Sequence, residues 1–373
     1  MKRLVCLLLV LCFILAGCGK NEAAEAPTEA PTAAPTEAPT EAPTEAPTEA
    51  PTEEPTEAPT EPLPMVNPLT GEALDEYYTG RPVMFTINNI SAALPQYGLN
   101  SLDWMFEVET EGGITRCVGL MADPSTAGTL GPIRSARTYF LNLSVSYNAP
   151  LFHCGASKFV KNNLWYAHNQ GVESWDHVDQ MGNGSSYFYR NSRGGGYATE
   201  HTLFSSGERM AKAMEALGLN PTGSEPVSYG YQFSDEVVLN GQPANTVTFQ
   251  FNGGKRTTME YDAETGMYLA HQYGSDWIDA TTDDNAAFRN VLVVNAEQTM
   301  VDGGKYLHSF YEMSGSGDGW FAVDGQMIPI KWFHEGVEGP FRFTLEDGTT
   351  PITFGVGSTY CAIVDVDCDV EAE

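Results

Sequence analysis

The sequence predicts an α+β protein in which an N-terminal α/β-type domain, residues 65–222, precedes a mainly antiparallel β domain, residues 226–368. Three observations support this prediction. Short apolar β runs alternate with helical patterns as far as residue 222, and loop-forming residues cluster at 220–224. Beyond Tyr229 short β runs follow one another, and no helical pattern exceeds two turns. A disordered linker rich in Pro, Thr and Glu, residues 19–64, is expected before both domains.

The first 18 residues have the three parts of a secretory signal: a short basic start, an apolar run and a small-residue ending. The apolar run, residues 4–15, is shorter than the roughly 20 residues that a membrane-spanning helix needs. The ending Leu15-Ala16-Gly17-Cys18 resembles a bacterial lipobox, which predicts a lipid on Cys18 and an anchor on the extracytoplasmic face of the cell membrane. An ordinary cleaved secretory signal is the alternative.

Residues 26–62 repeat Glu-Ala-Pro-Thr with small variations and contain no aromatic or branched aliphatic residue. Such a segment buries too little apolar surface to offset its ordering entropy. Regular proline favours extended polyproline II at about 3.1 Å per residue, so the linker could reach on the order of 100 Å. We therefore interpret it as a stalk, which is either O-glycosylated or a plain solvated spacer.

In the N-terminal domain the predicted strands are 82–90, 114–121 and 150–154, and the predicted helices are 135–146, 157–165 and 206–217. Ser205 or Ser206 is the expected N-cap of the last helix, and Gly218 follows its end. The C-terminal domain is predicted to be a sandwich or a partly open barrel. Its β runs are 246–251, 256–261, 267–273, 291–294, 306–311, 320–323, 327–333, 341–345, 351–354 and 360–366.

The charge balance excludes one class of partner. The chain has 49 Asp and Glu against 19 Lys and Arg, a net charge of −30, and residues 65–373 alone keep about −22. Nucleic-acid binding requires a basic face that displaces counterions, so no nucleic-acid partner is expected. A surface this acidic is also repelled by anionic lipid, so any membrane attachment must come from something other than electrostatics, and the lipid predicted on Cys18 would supply it.

Cysteine and histidine patterns indicate neither a metal nor a cofactor. Cys117, Cys154, Cys361 and Cys368 have no Cys-x-x-Cys spacing, and no histidine pair has zincin spacing. A phosphate loop, a dinucleotide fingerprint and a Gly-x-Ser-x-Gly elbow are also missing from the sequence. Cys117 and Cys154 lie in apolar runs and are interpreted as small buried side chains, while any disulfide pairing among the four thiols stays open.

The densest chemistry lies between residues 107 and 137. Arg134 and Arg137 follow a Gly-Pro loop and lie three residues apart in the first turn of a predicted helix. Free backbone N–H groups, the positive helix end and two guanidinium groups together indicate an anion site. The alternative is that both arginines pair with Glu107 or Glu111 and only tie a helix to a strand.

Three further polar residues lie at strand ends near this region. Asn88 and Asn89 end a buried strand, where polar side chains are costly unless they are bonded, so they either line the same cleft or satisfy a turn. His153 ends another apolar strand and is the candidate catalytic residue, because strand ends often border clefts. Cys154 would point to the opposite face of that strand.

Several segments together resemble the YerB-type lipoprotein family of Gram-positive bacteria. They are Asn-Pro-Leu-Thr-Gly at 67–71, the Pro-Val-x-x-x-Ile-Asn-Asn strand at 82–89, Glu-Gly-Gly-Ile-Thr-Arg at 111–116 and Gly-Pro-Ile-Arg-Ser-Ala-Arg at 131–137. The resemblance implies a lipid-anchored, extracytoplasmic protein of two domains and supplies no reaction. Transferred position by position, it supports Asn88, Asn89, Glu107, Glu111, Arg116, Arg134, Arg137 and His153 as candidate site residues.

The leading hypothesis is a binding lipoprotein whose arginine-rich cleft captures an anionic cell-envelope component, such as a cell-wall carboxylate, a teichoic phosphate or a peptide terminus. A competing hypothesis is a hydrolase with His153 as general base and Arg134 and Arg137 as an anion clamp. A third is a purely structural partner of another envelope protein, in which the arginines bond only internal carboxylates. Whether the protein is an enzyme stays open, and a role without catalysis is favoured.

Overall fold

The structure is a computed structural model that describes residues 63–161, 175–220, 223–251, 254–302, 307–311, 313–337 and 339–373. The signal segment, Cys18 and the linker as far as residue 62 lie outside the described residues, as do residues 162–165 of the helix predicted at 157–165. No helix among the described residues has the length and apolar character needed to cross a bilayer.

The described chain contains far more β-strand than helix. Its α-helices are α1 Thr138–Ser146, α2 Lys158–Lys161 and α3 Gly207–Ala216. In chain order the strands are β1 Val83–Asn88, β2 Trp104–Glu109, β3 Thr115–Met121, β4 Thr129–Leu130, β5 Leu151–His153, β6 His177–Asp179, β7 Tyr189–Arg190, β8 Leu203–Ser206, β9 Gln232–Ser234, β10 Gln242–Pro243, β11 Thr246–Gln250, β12 Arg256–Asp262, β13 Met267–Gln272, β14 Ser275–Asp276, β15 Ile278–Asp279, β16 Asp284–Asn285, β17 Ala287–Phe288, β18 Asn290–Asn295, β19 Gln298–Asp302, β20 Leu307–Tyr311, β21 Ser314–Val323, β22 Gln326–Glu335, β23 Arg342–Thr344, β24 Thr353–Gly355, β25 Thr359–Val364 and β26 Val370–Ala372.

One large sheet runs through both halves of the described chain. Its strand order is β10-β22-β21-β18-β25-β2-β3-β1-β5-β6, with β23 paired to β22. The strand β25, near the end of the chain, lies between β18 and β2 and is parallel to both. Residues on both sides of position 222 therefore share hydrogen bonds within one sheet, and the division into domains 65–222 and 226–368 stays a prediction.

The N-terminal half mixes two kinds of strand pairing. Strands β1 and β2 both run antiparallel to β3, whereas β1, β5 and β6 run parallel to one another. Helix α3 begins after Ser206, whose side chain accepts a hydrogen bond from the backbone N–H of Arg209, and Gly218 follows it with φ of 66°. The predicted caps of this helix are confirmed, and the α/β-type class of the whole half stays a prediction.

A second, six-stranded antiparallel sheet is built from β11–β14, β17 and β26. Its inward residues, such as Phe249, Met259 and Tyr268, belong to one apolar cluster with Phe85 and Tyr360 of the large sheet. Side chains on the other face of the large sheet, including Phe106, pack with Phe140 of α1. The large sheet is thus covered on both faces, and polar residues inside it must find internal partners.

Candidate functional site

Side-chain alternation divides the candidate residues between the two faces of the large sheet. Asn88 lies opposite Arg116 in the β1–β3 register, on the face that α1 covers. Asn89 and Glu107 point to the other face, where the side-chain amide of Asn89 donates to Oε1 of Glu107 over 2.8 Å. Because successive residues of a strand point to opposite faces, the eight candidates cannot form a single cleft.

Arg137 and Glu111 form a two-point ion pair at the start of α1. Arg137 Nε donates to Glu111 Oε2 over 2.8 Å, and its Nη2 donates to Oε1. Burial would raise the pKa of the Glu111 carboxyl, but the charge of Arg116 and the bond and charge of Arg137 outweigh it and lower that pKa to about 2. The guanidinium of Arg137 is therefore occupied by an internal carboxylate.

Arg116 is buried behind this pair. Its Nη2 lies 3.6 Å from Glu111 Oε1, and its Nη1 donates to the backbone oxygen of Ser135 over 3.0 Å. Burial lowers the pKa of the Arg116 guanidinium to about 9, and the neighbouring charge of Arg137 lowers it further against the opposing effect of Glu111. At neutral pH Arg116 keeps its charge, and the Glu111 carboxylate forms ion pairs with both Arg116 and Arg137.

Arg134 differs from both of these arginines because 24% of its side chain is exposed. Its backbone is fixed by Thr86, whose hydroxyl donates to the Arg134 oxygen and accepts from its N–H. Its guanidinium meets one exposed carboxylate, Glu200, at 3.3 Å. Its Nε is buried and has no hydrogen-bond partner among the described residues. Of the predicted arginines, Arg134 is the one that retains access to solvent.

Further cationic groups act in the neighbourhood of Arg134. Burial raises the pKa of the Cys154 thiol, and the charges of Arg190 and Arg134 oppose that rise. Burial lowers the pKa of His201, and Arg134 and Arg193 lower it further against Glu200. Arg190 and Arg193 were not among the predicted site residues, since they lie more than fifty residues away in the chain, at the end of β7 and in the loop that follows it.

Both ring nitrogens of His153 have hydrogen-bond partners. Its Nδ1 lies 2.7 Å from the backbone oxygen of Gly155, and its Nε2 lies 2.9 Å from Nδ1 of His177. Trp175 stacks on both imidazoles, with ring centroids 5.4 and 4.2 Å away. Burial lowers the pKa of His153 to about 4, against the opposing charge of Asp179. A general base needs a free nitrogen facing its substrate, and the described geometry offers none here.

Glu107 is the centre of a polar cluster on the opposite face, which we call the Glu107 cluster. Its Oε1 lies 2.5 Å from Nζ of Lys255, and its Oε2 accepts a hydrogen bond from the Tyr360 hydroxyl. Thr115 and Asn89 donate to Oε1 over 2.5 and 2.8 Å. Lys255 and Tyr360 were not predicted, because they are about 150 and 250 residues away in sequence. The one local sign of this cluster in the sequence is Glu107 itself, an acidic residue inside an apolar strand.

Comparison with known proteins identifies the family. A family model described as "Protein of unknown function (DUF3048) N-terminal domain" matches residues 69–220, and its C-terminal counterpart matches residues 247–361. A "PT disordered repeat" matches residues 22–61. The chain is 27% identical over 281 residues to "Putative lipoprotein YerB" of Bacillus subtilis (strain 168), covering 71% of this chain and 80% of that protein.

This chain belongs to the YerB-type family. The crystal structure of YerB from Bacillus subtilis matches the fold with a TM-score of 0.67 and 25% identity, over 82% of this chain and 99% of that chain. The YerB-type resemblance drawn from the sequence motifs is thus confirmed. The name of this relative specifies a lipoprotein and no reaction, so the role of this chain has to be argued from its own side chains.

Proposed function

We propose that this YerB-type protein is a membrane-anchored, extracytoplasmic binding lipoprotein that captures an anionic cell-envelope ligand at Arg134. The observation that carries the proposal is the partly exposed guanidinium of Arg134, held by Thr86 through its backbone and met only by the exposed carboxylate of Glu200 among the described ion pairs. A guanidinium with free N–H groups is the side chain best suited to phosphate and carboxylate.

The surrounding charge supports an anion at this position. Of the sixteen Lys and Arg residues in 65–373, five act on one another or on shared neighbours, and they outnumber the two carboxylates, Glu111 and Glu200, that pair with them; these five are Arg116, Arg134, Arg137, Arg190 and Arg193. In a body with a net charge of about −22, such a group makes a local positive field that attracts an anion against the overall repulsion. The ligand class is a cell-wall carboxylate, a teichoic phosphate or a peptide terminus.

Fewer arginines contact the ligand in this proposal than the motifs led us to expect. Arg116 and Arg137 pair with Glu111, so Arg134 is the arginine proposed to meet the ligand. Anchoring is proposed through a lipid on Cys18, for which the lipobox and the lipoprotein name of the relative are the support. His153 is not given a catalytic role, because its ring nitrogens are engaged.

Thermal unfolding of the full-length protein in non-ionic detergent tests the proposal. Inorganic phosphate, glycerol phosphate and a short peptide with a free carboxyl terminus are added separately. A ligand that binds the native state raises the melting temperature by mass action. We expect at least one shift in the wild type, none in Arg134→Gln, and an unchanged shift in the control Arg342→Gln. Equal shifts in all three proteins would contradict the proposal.

A second candidate is a purely structural partner protein. The observation in its favour is that Arg116 and Arg137 bond an internal carboxylate, as this hypothesis requires. It differs in its prediction for Arg134, which would then only tie its loop to Glu200. Arg134→Gln and Glu200→Gln would in that case lose equal, small amounts of stability, and no anion would shift the melting temperature of the wild type.

A further inference from the structure

Two reactive side chains of the Glu107 cluster meet on one carboxylate oxygen. Nζ of Lys255 lies 2.5 Å from Oε1 of Glu107, and the side-chain nitrogen of Asn89 donates to the same oxygen over 2.8 Å. Because both nitrogens lie on one oxygen, the Lys255 amine and the Asn89 amide are neighbours, with a carboxylate in contact with both. All three side chains are buried, and the proposed anion site at Arg134 uses none of them.

The carbonyl oxygen of Asn89 has two hydrogen-bond donors of its own. It accepts from Nε2 of Gln96 over 2.8 Å and from Nε2 of Gln272 over 3.0 Å. Two preorganised N–H donors on a carbonyl oxygen stabilise the oxyanion that forms when a nucleophile adds to the carbonyl carbon. The Asn89 amide is thus oriented with its oxygen between two donors and its nitrogen on a base.

Gln272, the amide next to Asn89, lacks this activation. Its nitrogen donates to Asn89, and its Oε1 is buried with no hydrogen-bond partner in the part of the chain that the structure describes. Negative charge that developed on this oxygen would therefore be left without a donor. The geometry selects Asn89 as the amide that an amine can attack.

Aromatic rings surround the Lys255 amine. The ring centroids of Trp277, Phe251 and Tyr273 lie 5.0, 5.4 and 6.0 Å from Nζ. Nζ also donates to the hydroxyl of Thr257. A site closed to water favours attack by the amine over hydrolysis of the amide. Moving a proton from Nζ to the carboxylate also replaces two buried charges by two neutral groups, which removes the cost of keeping both charges out of water.

We propose that Lys255 and Asn89 become joined by an amide bond, with Glu107 as the base and acid of the reaction. Glu107 takes a proton from the Lys255 ammonium, and the neutral Nζ adds to Cγ of Asn89. The C–N bond to Nδ2 of Asn89 then breaks. Glu107 carries two protons in all from Nζ to the leaving nitrogen, which departs as ammonium and leaves the carboxylate unchanged. The reaction needs no oxidant, and the amide N–H that it forms can still donate to Glu107.

The bond would join the two regions that the family models match. Asn89 lies in the region 69–220, and Lys255 lies in the region 247–361. The four described cysteines are free thiols, so the amide would supply the covalent link that disulfides give many exported proteins. Because it closes a long loop of chain, it would restrict the unfolded state and stabilise the fold. The inference goes beyond the proposed anion site and does not rest on it.

Mass spectrometry of the full-length protein, purified in non-ionic detergent and digested with chymotrypsin, tests this inference. Cleavage after the flanking aromatic residues isolates Asn89 in peptide 86–97 and Lys255 in peptide 252–261. We expect one joined species whose mass is that of the two peptides together less about 17 Da, the mass of ammonia. Fragmentation should place the link between Asn89 and Lys255. Recovery of the two peptides only as separate species from the wild type would overturn the inference.

Three variants test the assigned roles, and the wild-type digest decides the question even if one of them fails to fold. Lys255→Arg keeps a cation beside Glu107 but has no amine, and Glu107→Gln removes the base, so both should yield the two peptides separately. The control Lys212→Arg changes an exposed lysine and should keep the link. A link that survives in Glu107→Gln would overturn the proposed reaction. A link from Lys255 to Glu107, with loss of about 18 Da as water, would overturn the choice of Asn89.

Discussion

Nζ of Lys255 lies 2.5 Å from Oε1 of Glu107, and both side chains are almost completely buried. Glu107 belongs to the region matched by the N-terminal family model and Lys255 to the region matched by the C-terminal one. The Tyr360 hydroxyl and Asn89 complete the bonding of this carboxylate. A buried charge is tolerated only when it is paired and hydrogen-bonded, so the two regions depend on each other for this site.

Removing one member of this pair should therefore destabilise the whole described fold. We expect Lys255→Met to reduce the free energy of unfolding by about 3–5 kcal/mol, because the buried Glu107 loses its cationic partner. Urea denaturation measures this loss, with Lys212→Met as the control. Lys212 pairs with Glu208 on an exposed helix surface, and its loss should leave the free energy of unfolding nearly unchanged. The double variant Lys255→Met, Glu107→Gln should lose less than the sum of the two single losses.

The Arg137–Glu111 pair should make stability depend on acid. The folded-state pKa of Glu111 is about 2 and its ordinary value is 4.5, so its contribution is complete above pH 4.5 and is lost as the pH falls toward 2. Arg137→Gln should flatten this part of the stability profile and cost about 1–3 kcal/mol at pH 7. Denaturation at a series of pH values compares the two proteins. An unchanged slope in the variant would contradict the assignment.

His153 should contribute in a separate pH window. Its folded-state pKa of about 4 lies below the ordinary 6.5, so the native protein binds fewer protons than the unfolded chain between these values. Stability contributed by neutral His153 is full above pH 6.5 and declines as the pH falls through this window. NMR titration of the imidazole should show no protonation of His153 above about pH 5. A midpoint near 6.5 would show that the ring is not buried.

The described cysteines are free thiols, and their reactivity should follow burial. Cys117 and Cys361 are completely buried, and burial raises the pKa of both thiols. We expect neither to react with a soluble thiol reagent until guanidinium unfolds the protein. Cys154 and Cys368 are half-buried and should react slowly in the native state. Mass spectrometry of the labelled peptides distinguishes the four, and resistance of any pair after unfolding would reveal a disulfide.

Local sequence patterns predicted several elements because the buried residues of these elements are close together in the sequence. The strands β1, β3 and β5 and the helix α3 lie within the predicted ranges 82–90, 114–121, 150–154 and 206–217. Strand β2 was not predicted, because Glu107 and Glu109 interrupt its apolar run. The partners that allow Glu107 inside, Lys255 and Tyr360, come from distant segments, so no local pattern shows that this acid is buried.

The candidate site was likewise predictable only where it depends on residues that are close in the sequence. The motif at 131–137 located the arginines, but it could not distinguish Arg137, which pairs with Glu111, from Arg134, which stays partly exposed. That distinction depends on how the turn after β2 brings Glu111 to the start of α1. Asn88 and Asn89 are adjacent in the chain but face opposite sides of the sheet, because strand geometry separates neighbours.

The measurement that tests the central claim most directly is the affinity of Glu200→Gln for inorganic phosphate, determined by titration beside the wild type and Arg134→Gln. Glu200 competes with any anion for the Arg134 guanidinium. We therefore predict that Glu200→Gln binds phosphate several-fold more tightly than the wild type and that Arg134→Gln does not bind it. Equal phosphate affinity in all three proteins would contradict an anion site at Arg134.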